Sequence, residues 1–173
     1  MHFDIGDILL IKDDRKSLAD NLIKGVGGGN FSHTACVTET NKEVFEMHCP
    51  KGAIVRPLSD YFNSRYTVLV AHHKHMTGAQ RIALKRYLLN IVNRKVKYDY
   101  RGVMGHALKF PDKINNKERM YCSEAIGFAF FSVLDYRFAG LNPSVQAPKD
   151  QGFDVISKQH IWENEYISRE FSF

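Results

Sequence analysis

The chain has only three cysteines among its 173 residues, and an odd number cannot form a complete disulfide framework. Small secreted domains that depend on disulfides carry an even and denser set, so that class of protein is excluded. No apolar run reaches the length of about 18 residues that a membrane-spanning helix needs. The residues Met1 to Asp4 lack the charged and then apolar pattern of a secretory leader. We therefore expect an unexported, cytoplasmic protein without a transmembrane segment.

Neither sign of charge is in large excess, because the chain has 24 basic and 19 acidic residues and a formal net charge of +5. The one basic cluster, from Lys85 to Lys97, has helical spacing, and such residues usually form the solvated face of an amphipathic helix. No stacking aromatic motif accompanies the cluster, so we expect no nucleic-acid partner. The composition is globular, with 44% apolar residues. The length predicts one domain over residues 1–173.

A histidine and a glutamate fall on one predicted β-hairpin. The segments 33–38 and 44–48 read as two strands around the polar turn 39–42. Because side chains alternate along a strand, a four-residue loop places Glu46 diagonally beside His33 on the same face, whereas a loop of odd length separates them. The predicted register pairs Thr38 with Glu43, Val37 with Val44 and Ala35 with Glu46.

The remaining pattern predicts a mixed α and β protein. Strands are expected at 8–11 and 67–71, and an extended segment at 52–55. A capping box at Thr77 to Gln80 opens an amphipathic helix. Further predictions are shorter helices at 17–24 and 101–109, and a glycine-rich loop at 25–30 that would serve as a lid beside His33.

Cys122 stands directly before an apolar run that reaches Leu134 and predicts a buried central helix. A thiol at the first turn of a helix faces unpaired N–H groups and the positive end of the helix dipole, which favour the nucleophilic thiolate. The polar run 115–119 before it indicates a position that solvent and substrate can reach. The alternative is a helical cysteine that packs as a small hydrophobe. Such packing is what we expect of Cys36 and Cys49.

Other polar residues support different interpretations. A single histidine at the edge of a strand, such as His33, often only forms a hydrogen bond with a backbone carbonyl, and Glu46 could be a solvated carboxylate. His48 shares the face of Glu46 and could replace it. The tract His72 to His75 resembles a metal site, but adjacent side chains on a strand point to opposite faces, so we expect no metal. Asp7 is expected to cap a turn.

Six segments in one order carry a resemblance to the circularly permuted NlpC-type papain-like cysteine hydrolases, in their YiiX-like branch. The resemblance implies an α+β, permuted papain-like fold, in which an antiparallel sheet curled toward a barrel packs against a central helix that carries the cysteine. It also implies a triad of Cys122, His33 and Glu46, with Tyr121 beside the oxyanion or the substrate pocket. The segments are Gly6-Asp7-Ile8-Leu9, Ser32-His33-Thr34-Ala35, Val44-Phe45-Glu46, Val55 through Leu58 to Tyr61, Tyr98-Asp99 and Tyr121-Cys122-Ser123-Glu124.

The expected function is that of a thiol hydrolase that cleaves a peptide or amide bond through a thioester and needs no cofactor. One alternative is a lipid acyltransferase or phospholipase that uses the same triad on a lipid acyl substrate. Another is a binding module that kept the fold and lost turnover. The sequence does not indicate an oligomeric state.

Overall fold

The computed structural model describes residues 2–13, 33–73, 75–100 and 118–135, and the backbone of 166–172. The helices predicted at 17–24 and 101–109, and the glycine-rich loop 25–30, lie outside the described residues. Among the residues that are described, no helix is long and apolar enough to cross a membrane.

Six antiparallel strands form the main sheet of the described residues. In the part of the chain that the structure describes, two α-helices accompany it, α1 (Gly78–Asn93) and α2 (Cys122–Leu134). The mixed α+β class with an antiparallel sheet is therefore confirmed. The strands of the sheet are β1 (Ile8–Asp13), β2 (His33–Glu39), β3 (Glu43–His48), β4 (Gly52–Pro57), β5 (Tyr66–His73) and β8 (Tyr166–Ser172), and a separate parallel pair consists of β6 (Lys97–Tyr98) and β7 (Arg119–Met120). The spatial order of the six strands in the sheet is β4-β3-β2-β1-β5-β8.

Both faces of the sheet are buried at β1, β2, β3 and β5, because each of these strands alternates two sets of apolar side chains. One face packs against α2, which contacts β2 and β3. The other face packs beneath a 3-10 turn, Leu58–Tyr61. The first set includes Ile8, Leu10, Cys36, Phe45 and Met47, and the second includes Leu9, Ile11, Ala35, Val37 and Val44.

The β2–β3 hairpin keeps the predicted faces by a route that differs from the predicted one. Ala35 pairs with Glu46 and Val37 with Val44, as expected, but Glu43 faces Glu39 rather than Thr38. The turn is three residues long, and its central residue Asn41 has a left-handed φ of 56°. A bulge between Val37 and Glu39 adds one residue to β2. The odd loop and the extra residue cancel, so the face that carries Glu46 is preserved.

Helix α1 begins where the sequence predicts. The Thr77 N–H donates to Gln80 Oε1 at 2.8 Å, and the Gln80 N–H donates to Thr77 Oγ1 at 3.3 Å, which completes both halves of the capping box. The buried residues Leu84, Leu88 and Ile91 recur at helical spacing and form part of the same core as α2. The helix therefore supports α2 from the side, and α2 carries Cys122 to the start of β2.

Candidate functional site

His33 and Cys122, the first residues of β2 and α2, meet although 89 positions separate them in the sequence. The imidazole of His33 is in hydrogen-bonding contact with the thiol of Cys122. On its other side, His33 Nε2 lies 2.5 Å from Glu46 Oε2. Because Nε2 is occupied by the carboxylate, Nδ1 is the ring nitrogen left for the sulfur. The structure thus brings together the three residues that the sequence assigned to a triad.

Glu46 is an ionised carboxylate inside the protein, with 1% of its side chain exposed. Burial opposes ionisation, but the hydrogen bond and charge of His33 outweigh it, with help from the Tyr61 hydroxyl and the charge of Arg56. Together these interactions lower the pKa of Glu46 to about 2. Tyr61 donates its hydroxyl proton to Oε2, and Arg56 Nη1 lies 3.3 Å from Oε1. The carboxylate is therefore held in place from three sides.

The thiol and the imidazole favour the charged pair. Burial alone would raise the pKa of the Cys122 thiol, but the hydrogen bond and positive charge of His33 outweigh burial and lower it. The backbone N–H groups of Thr34 and Ser123 also donate to the sulfur and act in the same direction. Burial likewise works against the protonated form of His33, but its bonds to Cys122 and Glu46 raise its pKa to about 10. Both shifts favour the thiolate–imidazolium pair over the neutral thiol and imidazole.

Cys122 is less accessible than its sequence context predicts. Only 1% of the residue is exposed, because the first turn of α2 packs against the start of β2. The side chain of His33 is 23% exposed, so solvent reaches the pair from the side of the imidazole. The prediction of an open thiol was wrong in this respect, since the polar run 115–119 suggested a surface position.

Tyr121 occupies the residue before α2 and is in an extended conformation. Its backbone N–H donates to Glu124 Oε2 at 3.3 Å, which anchors the start of the helix. The side chain of Tyr121 is buried in the same core cluster as α1 and α2. Its role at an oxyanion or a substrate pocket stays a prediction.

The sequence assigned no role to Arg56 or Tyr61, which complete the surroundings of Glu46. Arg56 pairs with Val44 across β3 and β4, so strand alternation puts it on the face of Glu46 and could have revealed it. The guanidinium of Arg56 also binds Asp60 at 2.9 and 3.0 Å and lies 4.9 Å from the centre of the Tyr61 ring. Tyr61 arrives through the 3-10 turn, for which the sequence carries no periodic signal.

His48 does not orient His33, because Glu46 already does so. Its Nδ1 is buried and has no hydrogen-bond partner among the described residues. Burial, as the largest effect, lowers the pKa of His48 and favours the neutral imidazole, while the positive charges of Lys51 and His33 add to it. His48 therefore does not take the place of Glu46 beside His33.

The histidine tract that resembled a metal site has other contacts. His72 Nδ1 lies 2.7 Å from Oδ2 of the buried Asp7, and the His75 N–H donates to His73 Nδ1 at 3.3 Å. Asp7 Oδ2 also accepts the Asp4 N–H at 2.8 Å, which confirms the predicted turn cap. Within the described ranges, no group of three or more histidine, cysteine or acidic side chains could hold a metal ion.

The other two cysteines differ from one another. Cys36 is fully buried in the core, as predicted, and burial raises the pKa of its thiol. Cys49 is exposed, and its sulfur lies 3.4 Å from the Tyr100 hydroxyl. The prediction that Cys49 is a packing residue was wrong, because it lies in the turn after β3, beyond the end of the sheet.

Comparison with solved structures identifies the architecture. A crystal structure described as the metalloprotein yiiX from Escherichia coli O157:H7 superposes with a TM-score of 0.61, at 17% sequence identity and over 96% of each chain. The fold is YiiX-like. At this identity the similarity shows the fold alone. No family model matches the chain, and a search of curated proteins found no match.

Proposed function

We propose that the protein is a cysteine hydrolase that cleaves an amide or peptide bond through a thioester intermediate. The observation that carries the proposal is the chain of contacts from the Cys122 thiol through His33 to the buried carboxylate of Glu46. Each link shifts the protonation equilibrium of its neighbour toward the charged, reactive form. The resemblance to NlpC-type cysteine hydrolases assigns the same three residues.

In the first half-reaction, the Cys122 thiolate attacks the substrate carbonyl carbon and forms a tetrahedral intermediate. The imidazolium of His33 gives its proton to the leaving nitrogen as the C–N bond breaks, which leaves an acyl thioester on Cys122 and a free amine. Glu46 holds the ring orientation and stabilises its positive charge throughout. Neutral His33 then takes a proton from water, the hydroxyl attacks the thioester, and the acid product leaves as the ion pair reforms.

The backbone N–H of Cys122 is the donor best placed to stabilise the developing oxyanion. N–H groups in the first turn of a helix have no intrahelical acceptor, and Cys122 is the first residue of α2. A donor that belongs to the nucleophile itself keeps a fixed position relative to the attacked carbonyl. The sequence interpretation of Tyr121 as a second contributor belongs to this same part of the site.

A second candidate is acyl transfer from a lipid ester through the same thioester. The feature that favours it is the side chain of Phe128, which is only partly buried on α2, the helix that carries Cys122. Partly exposed apolar surface on this helix is a type of surface that an acyl chain can contact. Cleavage of a C–O bond would then replace cleavage of a C–N bond, with His33 protonating the alkoxide.

Incubation with a panel of peptide amides and phospholipids separates these functions. We expect a substrate to add an acyl mass to Cys122 that mass spectrometry locates, and the acyl group identifies its donor. Cys122→Ala should abolish both the adduct and turnover, whereas Cys49→Ala, which removes the exposed thiol, should keep them. Turnover that survives in Cys122→Ala would contradict the proposal. Absence of any adduct across the panel would favour the inactive binding module.

A further inference from the structure

A groove of about 500 Å³ lies where the end of α1 meets the parallel pair β6–β7. Four of the six side chains that line it are cationic and one is acidic. The groove therefore carries a local excess of three positive charges within a chain whose total is +5. Its lining residues are Arg94, Lys95, Val96, Lys97, Glu118 and Arg119.

The four cations of this groove have no ion pair with any described acidic residue. Other cations of the fold do find partners. Arg65 binds Asp13, Lys85 binds Glu39 and Arg56 binds Asp60. Like charges that converge repel one another, and Glu118, the one acidic residue of the lining, offsets only part of the four positive charges. An anion that enters the groove relieves the remaining repulsion.

The backbone beneath the cations is fixed by contacts with two other strands. The Ala53 N–H of β4 donates to the Val96 carbonyl at 2.9 Å, and the Lys97 N–H donates to the Glu118 carbonyl at 2.9 Å. Gly52 allows this approach, because a Cβ at its position would collide with the Val96 carbonyl oxygen. The backbone that positions the cations is therefore largely organised before a ligand binds.

The end of a helix offers a simpler reason for basic residues, because its partial negative charge attracts them. This explanation fits Arg94 and Lys95, which follow α1 directly. It does not account for Arg119, which comes from β7 and converges on the same groove from a different part of the chain. The final carbonyls of α1 are moreover bonded by backbone N–H groups, including those of Arg94 and Lys95.

We propose that this groove binds a phosphate group of a larger ligand. A phosphate carries up to two negative charges and compensates the excess better than a single carboxylate does, and each arginine can hold it through two parallel N–H···O bonds. Arg119 precedes Cys122 by three residues of extended chain, or about 10 Å. The binding does not depend on the thiol chemistry, so Cys122→Ala should retain it.

Calorimetric titration with inorganic tripolyphosphate at physiological salt tests this inference. The double variant Arg119→Gln/Lys97→Gln should bind at least about 30-fold more weakly than the unmodified protein, since hydrogen bonds between charged groups are lost. The matched control Arg86→Gln/Lys42→Gln removes the same charge from exposed positions outside the groove and should bind normally. Equal affinity of the two double variants would overturn the site, because binding would then follow net charge alone.

A second experiment, with vesicles, distinguishes a lipid headgroup from a soluble phosphate as the ligand. Co-sedimentation with phosphatidylcholine vesicles that contain phosphatidylglycerol, compared with pure phosphatidylcholine, reports binding to a lipid headgroup. If Arg119→Gln/Lys97→Gln loses vesicle binding and the control keeps it, the groove binds a lipid headgroup. If the two variants differ in this way only with tripolyphosphate, the groove binds a soluble phosphate. Binding to neither probe would refute the proposal. Binding that persists in Cys122→Ala without turnover by any variant would uphold the groove while the hydrolase proposal fails.

Discussion

Replacement of His33 by alanine is expected to slow turnover of any substrate by about 1,000-fold or more, because one side chain supplies both the charge partner of the thiolate and the proton for the leaving group. The loss should appear in kcat rather than in KM, since His33 acts on the reacting atoms. Steady-state kinetics on the substrate identified by the acyl adduct measure it. Burial of Cys122 would then be opposed only by the backbone N–H groups of Thr34 and Ser123, so the equilibrium would shift toward the protonated thiol.

His48→Ala is the matched control for this prediction. His48 lies two residues beyond Glu46 on the same face of β3, but it does not contact the carboxylate through a hydrogen bond in the structure. Its replacement should change kcat by no more than a few-fold. If His48→Ala were as damaging as His33→Ala, the roles assigned to Glu46 and His33 would have to be revised.

Replacement of Glu46 by glutamine is expected to reduce both activity and acid-dependent stability. The amide cannot stabilise a positive imidazole, so kcat should fall by about 100-fold to 10,000-fold. The pKa of Glu46 is depressed from 4.5 to about 2, so its contribution to stability is complete above pH 4.5 and is lost as the pH falls through 2. That contribution is about 3 kcal/mol. Urea unfolding as a function of pH measures it.

The unmodified protein should therefore lose stability between pH 4.5 and pH 2 by more than Glu46→Gln does. Tyr61→Phe provides a graded control, because it removes a single donor to the carboxylate and leaves His33 and Arg56 in place. It should cost about 1 kcal/mol and leave most of the activity. Parallel acid profiles for the unmodified protein and Glu46→Gln would show that the carboxylate is not held in its charged form.

Strand alternation, together with the expected four-residue loop, predicted that His33 and Glu46 share a face. Alternation depends only on the backbone, and the hydrophobic residues on the opposite face of β2 and β3 allow no slip by one residue. The details of the turn were not predictable, because a three-residue loop with a bulge and a four-residue loop without one preserve the same faces. Asn41, which accepts a left-handed φ readily, is the residue that favours the shorter loop.

The burial of Cys122 and the contact of Tyr61 with Glu46 depend on tertiary packing. The sequence places Cys122 at the start of a helix correctly, but its exposure is set by how α2 lies against β2. Tyr61 reaches the carboxylate through an irregular turn, where no periodicity relates sequence to direction. The contact of Arg56 with Glu46 could have been predicted by aligning β4 with β3. Arg56 pairs with Val44, two residues before Glu46, and an arginine side chain can span this diagonal separation.

The most direct test of the central claim is the rate at which iodoacetamide alkylates Cys122 as a function of pH, measured in Cys49→Ala so that the exposed thiol does not contribute. Contact with His33 predicts rapid alkylation already at about pH 6, where an ordinary thiol, with a pKa of about 8.5, is almost fully protonated. Adding His33→Ala should move the midpoint of the profile above that ordinary value. Identical profiles with and without His33, both with an ordinary thiol midpoint, would contradict the account.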